Sequence, residues 1–447
     1  MDREFPSTFV WGVATSAYQI EGAAELGGKG ASIWDAFVRR PGAIADGTTG
    51  DVAIDHLARL DEDVALIADL GVQAYRFSVS WPRWFPEGDR RAAASGRDAY
   101  ERLVDRLLAA GIAPWLCLYH WDLPEALQRR GGWADRDTVD RFADYASAVL
   151  AVLGDRVDVV AVLNEPNVHA LLGHLVGVHA PGLADVGAYA GAVHHQHLAT
   201  ARTLERLRSD GVRAPLGTIV NLQPVVAARD TAADRAAAEL LDAVWNGNAL
   251  EPLAHGRYPE ATTAMMAGVV RDGDLDALRR PLDWLGLNLY SRHRVAADPD
   301  SIVGLRIAGP ARGVAATSMG WEVVPEALFE QLVRLQRALP NVPLYVTENG
   351  AAFAEAPGAD GRVDDRERVG YLYDHVGQVA RARAAGVDVR GYFAWTMWDN
   401  FEWAEGYVPT FGLVHVDRAT LVRTPKSSFD WYRRLATEGR RPKPIGR

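Results

Sequence analysis

Two glutamates at the ends of apolar, strand-like runs are the residues of this chain best suited to chemistry. Glu165 follows the run 162–164 (VLN), and Glu348 follows the run 345–347 (YVT). Burying an unpaired carboxylate is costly, so a glutamate at such a position indicates a functional group rather than core packing. Two carboxylates on neighbouring strand ends suit a reaction at a glycosidic bond, with one carboxyl as nucleophile and the other as acid and base.

Runs of apolar residues predict the elements that position these glutamates. Eight runs recur, at 9–18, 74–81, 113–120, 157–164, 216–222, 283–290, 343–348 and 389–396. Helical patterns separate most of them, at 61–70, 98–110, 135–153, 189–209, 232–247, 322–338 and 365–385. Near-continuous apolar strands that alternate with helices predict an all-parallel sheet buried on both faces. Eight repeats favour an α/β fold of the (β/α)8 TIM-barrel type, as one catalytic domain over residues 1–447.

A doubly wound sheet is the alternative fold, but no glycine-rich phosphate-binding turn follows any of the runs. The segment 27–30 (GGKG) does not have the spacing that such a turn requires. The glycine-rich segments 22–50, 297–318 and 351–363 are interpreted as long βα loops, which in a barrel gather on the C-terminal face and form the site. The alanine-rich segment 224–240 is interpreted as a solvated loop that runs into a helix.

Polar side chains stand at or near the C-terminal ends of the predicted strands, and a barrel would bring them into one pocket. They are Gln19, Arg76, His120, Trp121, Asn164, Glu165, Asn288, Tyr290, Glu348 and Trp395. Any one of them alone has an ordinary explanation, such as a surface ion pair for the arginine or a structural hydrogen bond for the histidine. The prediction of a site therefore depends on their convergence.

Composition excludes several classes of function. The net charge of −10 argues against a nucleic-acid partner. No stretch reaches the ~18 apolar residues of a membrane span, and residues 1–6 lack the apolar core of a signal peptide, so we expect a cytoplasmic protein without a membrane partner. Cys117 is the only cysteine, which excludes an intrachain disulfide, and its apolar surroundings predict an inert buried thiol. The 14 tryptophans include several beside polar residues at strand ends, where indole rings suit the apolar faces of sugars.

No cofactor or metal is expected. His194, His195 and His197 lie in one helical run without a carboxylate at ligand spacing, so they are interpreted as a packed helix face. Glu405 is interpreted as a structural or rim residue.

The chain resembles the β-glycosidases of glycoside hydrolase family 1 over nearly its whole length. The segments that carry the resemblance are 9–22 (FVWGVATSAYQIEG), 75–83 (YRFSVSWPR), 118–127 (LYHWDLPEAL), 162–166 (VLNEP), 320–328 (GWEVVPEAL), 345–350 (YVTENG) and 399–407 (DNFEWAEGY). The resemblance implies a β-glucosidase that hydrolyses terminal non-reducing β-D-glucosyl residues with retention of configuration. Its expected substrates are β-glucosides or short cello-oligosaccharides, with β-galactosides and β-fucosides as further candidates, in the degradation of cellulose.

The resemblance also implies the roles of the catalytic residues. Glu348 would be the nucleophile that forms a covalent glycosyl-enzyme, and Glu165 would be the acid and then the base. Arg76 and Tyr290 would keep Glu348 ionised, and Asn288 would belong to the same catalytic group. The two carboxyl groups of a retaining enzyme are expected about 5–5.5 Å apart.

The sugar-binding set implied by the resemblance surrounds these groups. It comprises Gln19, His120, Trp121, Asn164, Trp395, Glu402, Trp403 and Phe411, with Trp321 and Asn221 on the leaving-group side. Asn164 would bond the sugar 2-hydroxyl and Trp395 would form the stacking floor. A carboxylate at Glu402 would suit a neutral sugar and repel a 6-phosphate.

Two alternative functions remain open in the sequence. A transglycosidase, which passes the sugar to an alcohol, would use the same residues. A sugar-binding protein without activity would share the scaffold, but it would not need both glutamates together with Arg76 and Tyr290. The sequence also leaves open a homo-oligomer.

Overall fold

The computed structural model describes residues 4–89, 93–301 and 303–444. Met1–Arg3, which begin the N-terminal segment considered above, lie outside these ranges, as do short parts of the predicted 1–447 domain and of the 297–318 loop. Eight parallel strands form a closed barrel: Val10–Ala14, Ala74–Ser78, Ala113–Cys117, Val159–Asn164, Leu216–Asn221, Trp284–Asn288, Leu344–Asn349 and Val389–Trp395. Each strand pairs with its neighbours in the chain, and the first pairs with the eighth. The predicted TIM barrel is confirmed.

The predicted runs extend beyond the barrel strands at several ends. The first run, 9–18, contains the strand Val10–Ala14, and the chain then turns into a short helix at Ala17. The overshoot has a physical cause: residues just past a strand stay buried beneath the loops, so their apolar character continues after the sheet hydrogen bonds end.

Helices connect the strands and cover the outside of the barrel. The α-helices are Ala17–Ile20, Ile33–Phe37, Leu60–Asp69, Trp81–Trp84, Ala94–Ala109, Glu125–Gln128, Asp137–Leu153, Pro166–Ala170, Val186–Ser209, Ala232–Asp242, Asn248–His255, Glu260–Met266, Asp274–Leu278, Glu326–Ala338, Arg366–Ala384 and Ser427–Glu438. Leu171–Val176 and Ala243–Gly247 are π-helical, and Gly132–Ala134 and Trp403–Glu405 are 3₁₀-helical. Among the residues that the structure describes, no helix combines the length and apolar character that crossing a bilayer requires.

Two of the predicted loops were wrong in part, because they contribute strands to a small sheet outside the barrel. Its strands are Val225–Ala227, His293–Ala297 and Leu305–Ile307. The first falls in the segment predicted as a solvated loop, and the third falls in the predicted loop 297–318. Strands of this length gain their stability from pairing with distant segments, which single-chain periodicity does not register. Another short pair, Val414–Val416 with Arg423–Pro425, precedes the last helix.

Large aromatic side chains close the N-terminal half of the barrel. The Trp115 ring lies 4.7 Å from Phe393 and 5.5 Å from Trp284, measured between ring centroids. Glycine makes room for them: a Cβ on Gly217 would lie 2.4 Å from the Trp284 carbonyl oxygen. Cys117, expected as a buried thiol, is fully buried inside the barrel.

We expect Gly217→Ala to lower the free energy of unfolding by about 1–3 kcal/mol, because overpacking forces the Trp284 segment to move. The midpoint of thermal or urea unfolding measures this loss. Gly268→Ala is the matched control, because a Cβ there meets no atom within 4 Å. Equal midpoints for the two variants would contradict the close packing.

Candidate active site

Glu348 is held by a cation and a phenol at the C-terminal end of the seventh barrel strand. Its Oε1 accepts a hydrogen bond from Arg76 Nη1 at 2.6 Å, and its Oε2 accepts one from Tyr290 OH at 2.5 Å. The glutamate and the arginine are 3% and 1% exposed. Both partners stabilise the ionised carboxylate, so the geometry favours a charged Glu348.

Glu165 follows the fourth barrel strand and turns sharply out of it. Its φ of +49° is left-handed, and the helix Pro166–Ala170 starts directly afterwards. Its Oε1 accepts hydrogen bonds from Asn221 Nδ2 at 2.9 Å and Asn288 Nδ2 at 2.8 Å. A left-handed non-glycine residue is strained by about 1–3 kcal/mol, which a functional site can retain.

Amide groups connect the two glutamates beneath the cavity. Asn164 Oδ1 accepts from Arg76 Nη2 at 2.6 Å and from Asn288 Nδ2 at 3.1 Å. Because Arg76 also binds Glu348 and Asn288 also binds Glu165, one hydrogen-bonded chain runs from one carboxyl to the other. This chain fixes their relative position.

The two carboxyls have different electrostatic surroundings. Burial, together with the nearby negative charge of Glu348, raises the pKa of Glu165 to about 8. The amides of Asn221 and Asn288 oppose this rise by donating to the carboxylate. Glu165 therefore holds a proton at neutral pH beside an ionised Glu348.

A cavity of about 430 Å³ opens above the glutamates at the C-terminal end of the barrel. The predicted residues that line it are His120, Trp121, Glu165, Asn221, Tyr290, Trp321, Glu348, Trp395, Glu402, Trp403 and Phe411. The other four predicted residues, Gln19, Arg76, Asn164 and Asn288, are buried and hydrogen-bonded to members of the lining. The structure thus brings all fifteen predicted residues to one site.

One end of the cavity presents the carboxyl of Glu402, which the buried amide of Gln19 holds from behind. Gln19 Nε2 donates to Glu402 Oε2 at 3.3 Å and to the Phe401 carbonyl at 2.9 Å. Burial and the charges of Glu348 and Glu165 raise the pKa of Glu402 to about 8. At neutral pH, Glu402 is therefore mainly a neutral carboxyl that can donate as well as accept, rather than the carboxylate considered above.

Aromatic rings form the walls beside this end. The His120 ring lies parallel to those of Trp395 and Trp403, at 5.9 Å and 5.8 Å between centroids. The Trp121 indole N–H donates to the Asn164 carbonyl at 2.9 Å. Trp121, predicted as part of the sugar-binding set, consequently contributes its ring to the cavity lining, because its N–H is already bonded.

The outer half of the cavity contains residues that sequence reasoning missed. They include Val168, Leu172, His179, Gln223, Trp245, Arg292, Arg294, Ile307, Met319 and Glu322. The segment 291–294 (SRHR) directly follows Tyr290, so extending the strand-end argument by four residues would have found the two arginines. Glu405, interpreted as a rim residue, is exposed at the cavity mouth.

The three histidines of the long helix make structural contacts. His194 bonds Tyr258 and Asp274, while His195 and His197 bond main-chain carbonyls. Within the described ranges, no group of three or more His, Cys, Asp or Glu side chains is arranged to hold a metal ion.

Comparison with known proteins gives one consistent result. The family model described as Glycosyl hydrolase family 1 matches residues 1–440. Beta-glucosidase A of Thermotoga maritima is 42% identical over 434 residues, covering 96% of this chain and 97% of the relative. A bifunctional beta-D-glucosidase/beta-D-fucosidase of Bifidobacterium breve is 43% identical over 468 residues, covering 98% and 99%. A solved structure of the family 1 β-glucosidase from Thermotoga maritima superposes with a TM-score of 0.94 at 41% identity, covering 99% of this chain and 100% of that one.

We expect the Glu165 carboxyl to titrate near pH 8 in ¹³C NMR of glutamate-labelled protein, with its resonance assigned by its loss in Glu165→Gln. Glu348→Gln should lower this pKa, because it removes the like charge that disfavours the carboxylate. Glu405→Gln is the control and should leave it unchanged, since Glu405 is not among the charges that raise it. An unaltered titration in Glu348→Gln would contradict the coupling of the two carboxyls.

Proposed function

The chain belongs to glycosyl hydrolase family 1, and on this premise we propose that Glu348 and Glu165 carry out its chemistry as nucleophile and acid/base. The activity is that of a retaining β-glycosidase acting on terminal non-reducing β-D-glucosyl residues. The observation that supports these roles is the inequality of the two carboxyls. Glu348 is bound by Arg76 and Tyr290, whereas Glu165 holds a proton to about pH 8.

In the first step, a Glu348 carboxylate oxygen attacks the anomeric carbon of the bound glucoside. The glycosidic bond breaks as Glu165 transfers its proton to the departing oxygen. The products of this step are the free aglycone and a glucosyl ester of Glu348. Arg76 and Tyr290 hold the nucleophile in place. The attacking oxygen loses its negative charge as it forms the ester bond, so the hydrogen bond that it accepts must weaken.

The second step uses the change of charge that the first step makes. Once Glu348 is an ester, its negative charge no longer raises the pKa of Glu165, so this pKa falls and the Glu165 carboxylate forms more readily. It accepts a proton from a water molecule, whose oxygen attacks the anomeric carbon. Glucose leaves, Glu348 is again a carboxylate, and Glu165 is again protonated.

The inner end of the cavity indicates a neutral sugar. Gln19 and Glu402 would bind its outer hydroxyls, Asn164 its 2-hydroxyl, and the Trp395 ring would stack against it. A sugar 6-phosphate would place its negative charge next to Glu402, in a pocket that already contains the negative charge of Glu348. We propose β-D-glucosides and short cello-oligosaccharides as substrates, and β-fucosides as further ones in line with the Bifidobacterium breve relative. β-Galactosides remain a sequence prediction.

Other features stay proposals. We propose that residues 1–447 form one catalytic domain, supported by the pairing of the first barrel strand with the eighth. A cytoplasmic location, a role in cellulose degradation and a homo-oligomer also remain predictions from the sequence. Neither the transglycosidase nor the inactive sugar-binding protein gains support from any contact in the site.

The basic test is release of 4-nitrophenol from 4-nitrophenyl β-D-glucoside. Folded protein that releases none would contradict the proposal and support the sugar-binding alternative. We expect Glu348→Gly to abolish release while the thermal midpoint stays near that of the unchanged protein. The same variant should still transfer glucose from α-D-glucosyl fluoride to an alcohol acceptor, because this donor resembles the glucosyl ester. Glu405→Gly, a rim glutamate of the same cavity, should retain hydrolysis.

Glu165→Gln should separate substrates by their leaving groups. An unactivated alkyl β-D-glucoside needs a proton on its departing oxygen, so its kcat/KM should fall by about 10²–10⁴-fold. A 2,4-dinitrophenyl β-D-glucoside leaves readily as the anion, so its first step should be much less affected, as measured by the burst of dinitrophenolate. Equal losses on both substrates would contradict the acid role of Glu165.

A further inference from the structure

We propose that Arg292 forms a subsite for a carboxylate on the aglycone, so that β-glucosides of aromatic acids are favoured substrates. This inference rests on the proposed function and concerns the outer half of the same cavity. Three observations support it: the contact that holds the arginine, the net charge of the groups around it, and the Trp321 ring beside it.

Arg292 is anchored at one edge and open at the other. Its Nε donates to Glu322 Oε2 at 2.6 Å, and Glu322 is only 3% exposed. Glu322 is itself fixed, because its Oε1 accepts from the Ala311 N–H at 2.6 Å. Among the described residues, no partner lies within hydrogen-bond distance of Arg292 Nη1 or Nη2, and the side chain is 28% exposed in the cavity lining. A guanidinium held in this way presents paired donors that match a carboxylate.

The neighbouring arginine is less open. Arg294 donates one hydrogen bond from each terminal nitrogen, to the main-chain carbonyls of Gly309 and Ala228, so both nitrogens are already held by the protein. It lies 3.9 Å from Glu322, which therefore balances only one of the two arginine charges. The wall formed by Arg292, Arg294 and Glu322 consequently has a net charge of +1, counting two cations and one carboxylate.

The other ionisable groups of the cavity do not cancel this charge. Glu165 and Glu402 are mainly protonated at neutral pH, with pKa values of about 8. Glu348 is paired with Arg76. Burial lowers the pKa of His293 to about 4, so this histidine is neutral. Glu405 is negative, but it lies exposed at the mouth.

An aromatic surface lies next to the arginine. Trp321 immediately precedes Glu322, and its ring lies 5.7 Å from Tyr290 and 6.0 Å from Phe411. Ile307 and Met319 continue this surface with apolar atoms. A phenyl ring leaving from the anomeric oxygen would meet the indole and the apolar residues, and an acidic group on that ring would face the arginine. A second glucose as the aglycone would instead place its hydroxyl groups against the apolar surface.

The test compares two glucosides that differ only in charge, those of 3-(4-hydroxyphenyl)propanoic acid and of its primary amide. Two methylene groups separate the acid from the ring, so both phenols leave equally well. At about 20 mM salt, where screening is weak, we expect the acid to have a KM about tenfold lower than the amide with similar kcat. Arg292→Gln should remove this difference by raising the KM of the acid alone.

Arg306→Gln is the matched control. It also removes one positive charge, from a residue next to the cavity-lining Ile307, but Arg306 is exposed, pairs with Asp298 at 4.0 Å and does not line the cavity. It should leave the acid-to-amide ratio unchanged. If Arg292→Gln fails to fold, the inference can still be tested on the unchanged protein. About 500 mM salt should weaken the preference for the acid and leave the KM of the amide unchanged.

Equal KM values for the acid and the amide in the unchanged protein would overturn the inference while leaving the proposed function intact. An equal rise for both substrates in Arg292→Gln would also overturn it, since that result assigns the arginine to general packing or to hydroxyl contacts. If the unchanged protein did not hydrolyse even 4-nitrophenyl β-D-glucoside, the proposed function would fail and this inference with it.

Discussion

The buried guanidinium of Arg76 is the constraint on which the site depends. A carboxylate buried at the C-terminal end of an apolar barrel would lose most of its hydration, and only a nearby cation and hydrogen-bond donors make its ionised form stable there. Arg76 supplies both to Glu348, and its second terminal nitrogen binds Asn164. The same side chain therefore sets the charge of one carboxyl and, through the amides, the position of the other.

The charge on Glu348 then determines the behaviour of the groups around it. Glu165 and Glu402 both lie in the field of this carboxylate, and both bind their protons more tightly because of it. Two of the three inner carboxyls, Glu165 and Glu402, are thus mainly neutral at neutral pH, although the sequence analysis expected a carboxylate at Glu402. Their ionisation is linked to that of Glu348, so the glycosylation proposed for Glu348, which removes its charge, would lower the pKa of both.

The sequence was sufficient to predict the barrel and the place of the site, because both depend on repeated local patterns. Apolar runs end where strands end, and glutamates at those ends are conspicuous. It was not sufficient where a contact depends on segments that meet only after folding. The short strand Val225–Ala227 is stable because it pairs with His293–Ala297, and the Trp121 N–H is used by a carbonyl in the next strand. The position of Arg292 could be found by extending the strand-end argument past Tyr290, but the way Glu322 holds one edge of its guanidinium depends on folding.

The aromatic rings inside the barrel determine how substrate, water and products enter and leave the cavity. The barrel below the glutamates is filled by the rings of Trp115, Trp284 and Phe393, so the cavity is closed at its base and is entered from the C-terminal face. A sugar bound at the base of the cavity lies deeper than the aglycone attached to it. In the proposed mechanism, the aglycone therefore departs before water reaches the glucosyl ester through the same opening, and glucose departs last. The shape of the barrel interior would impose this order of release, and a cello-oligosaccharide would be shortened only from its end.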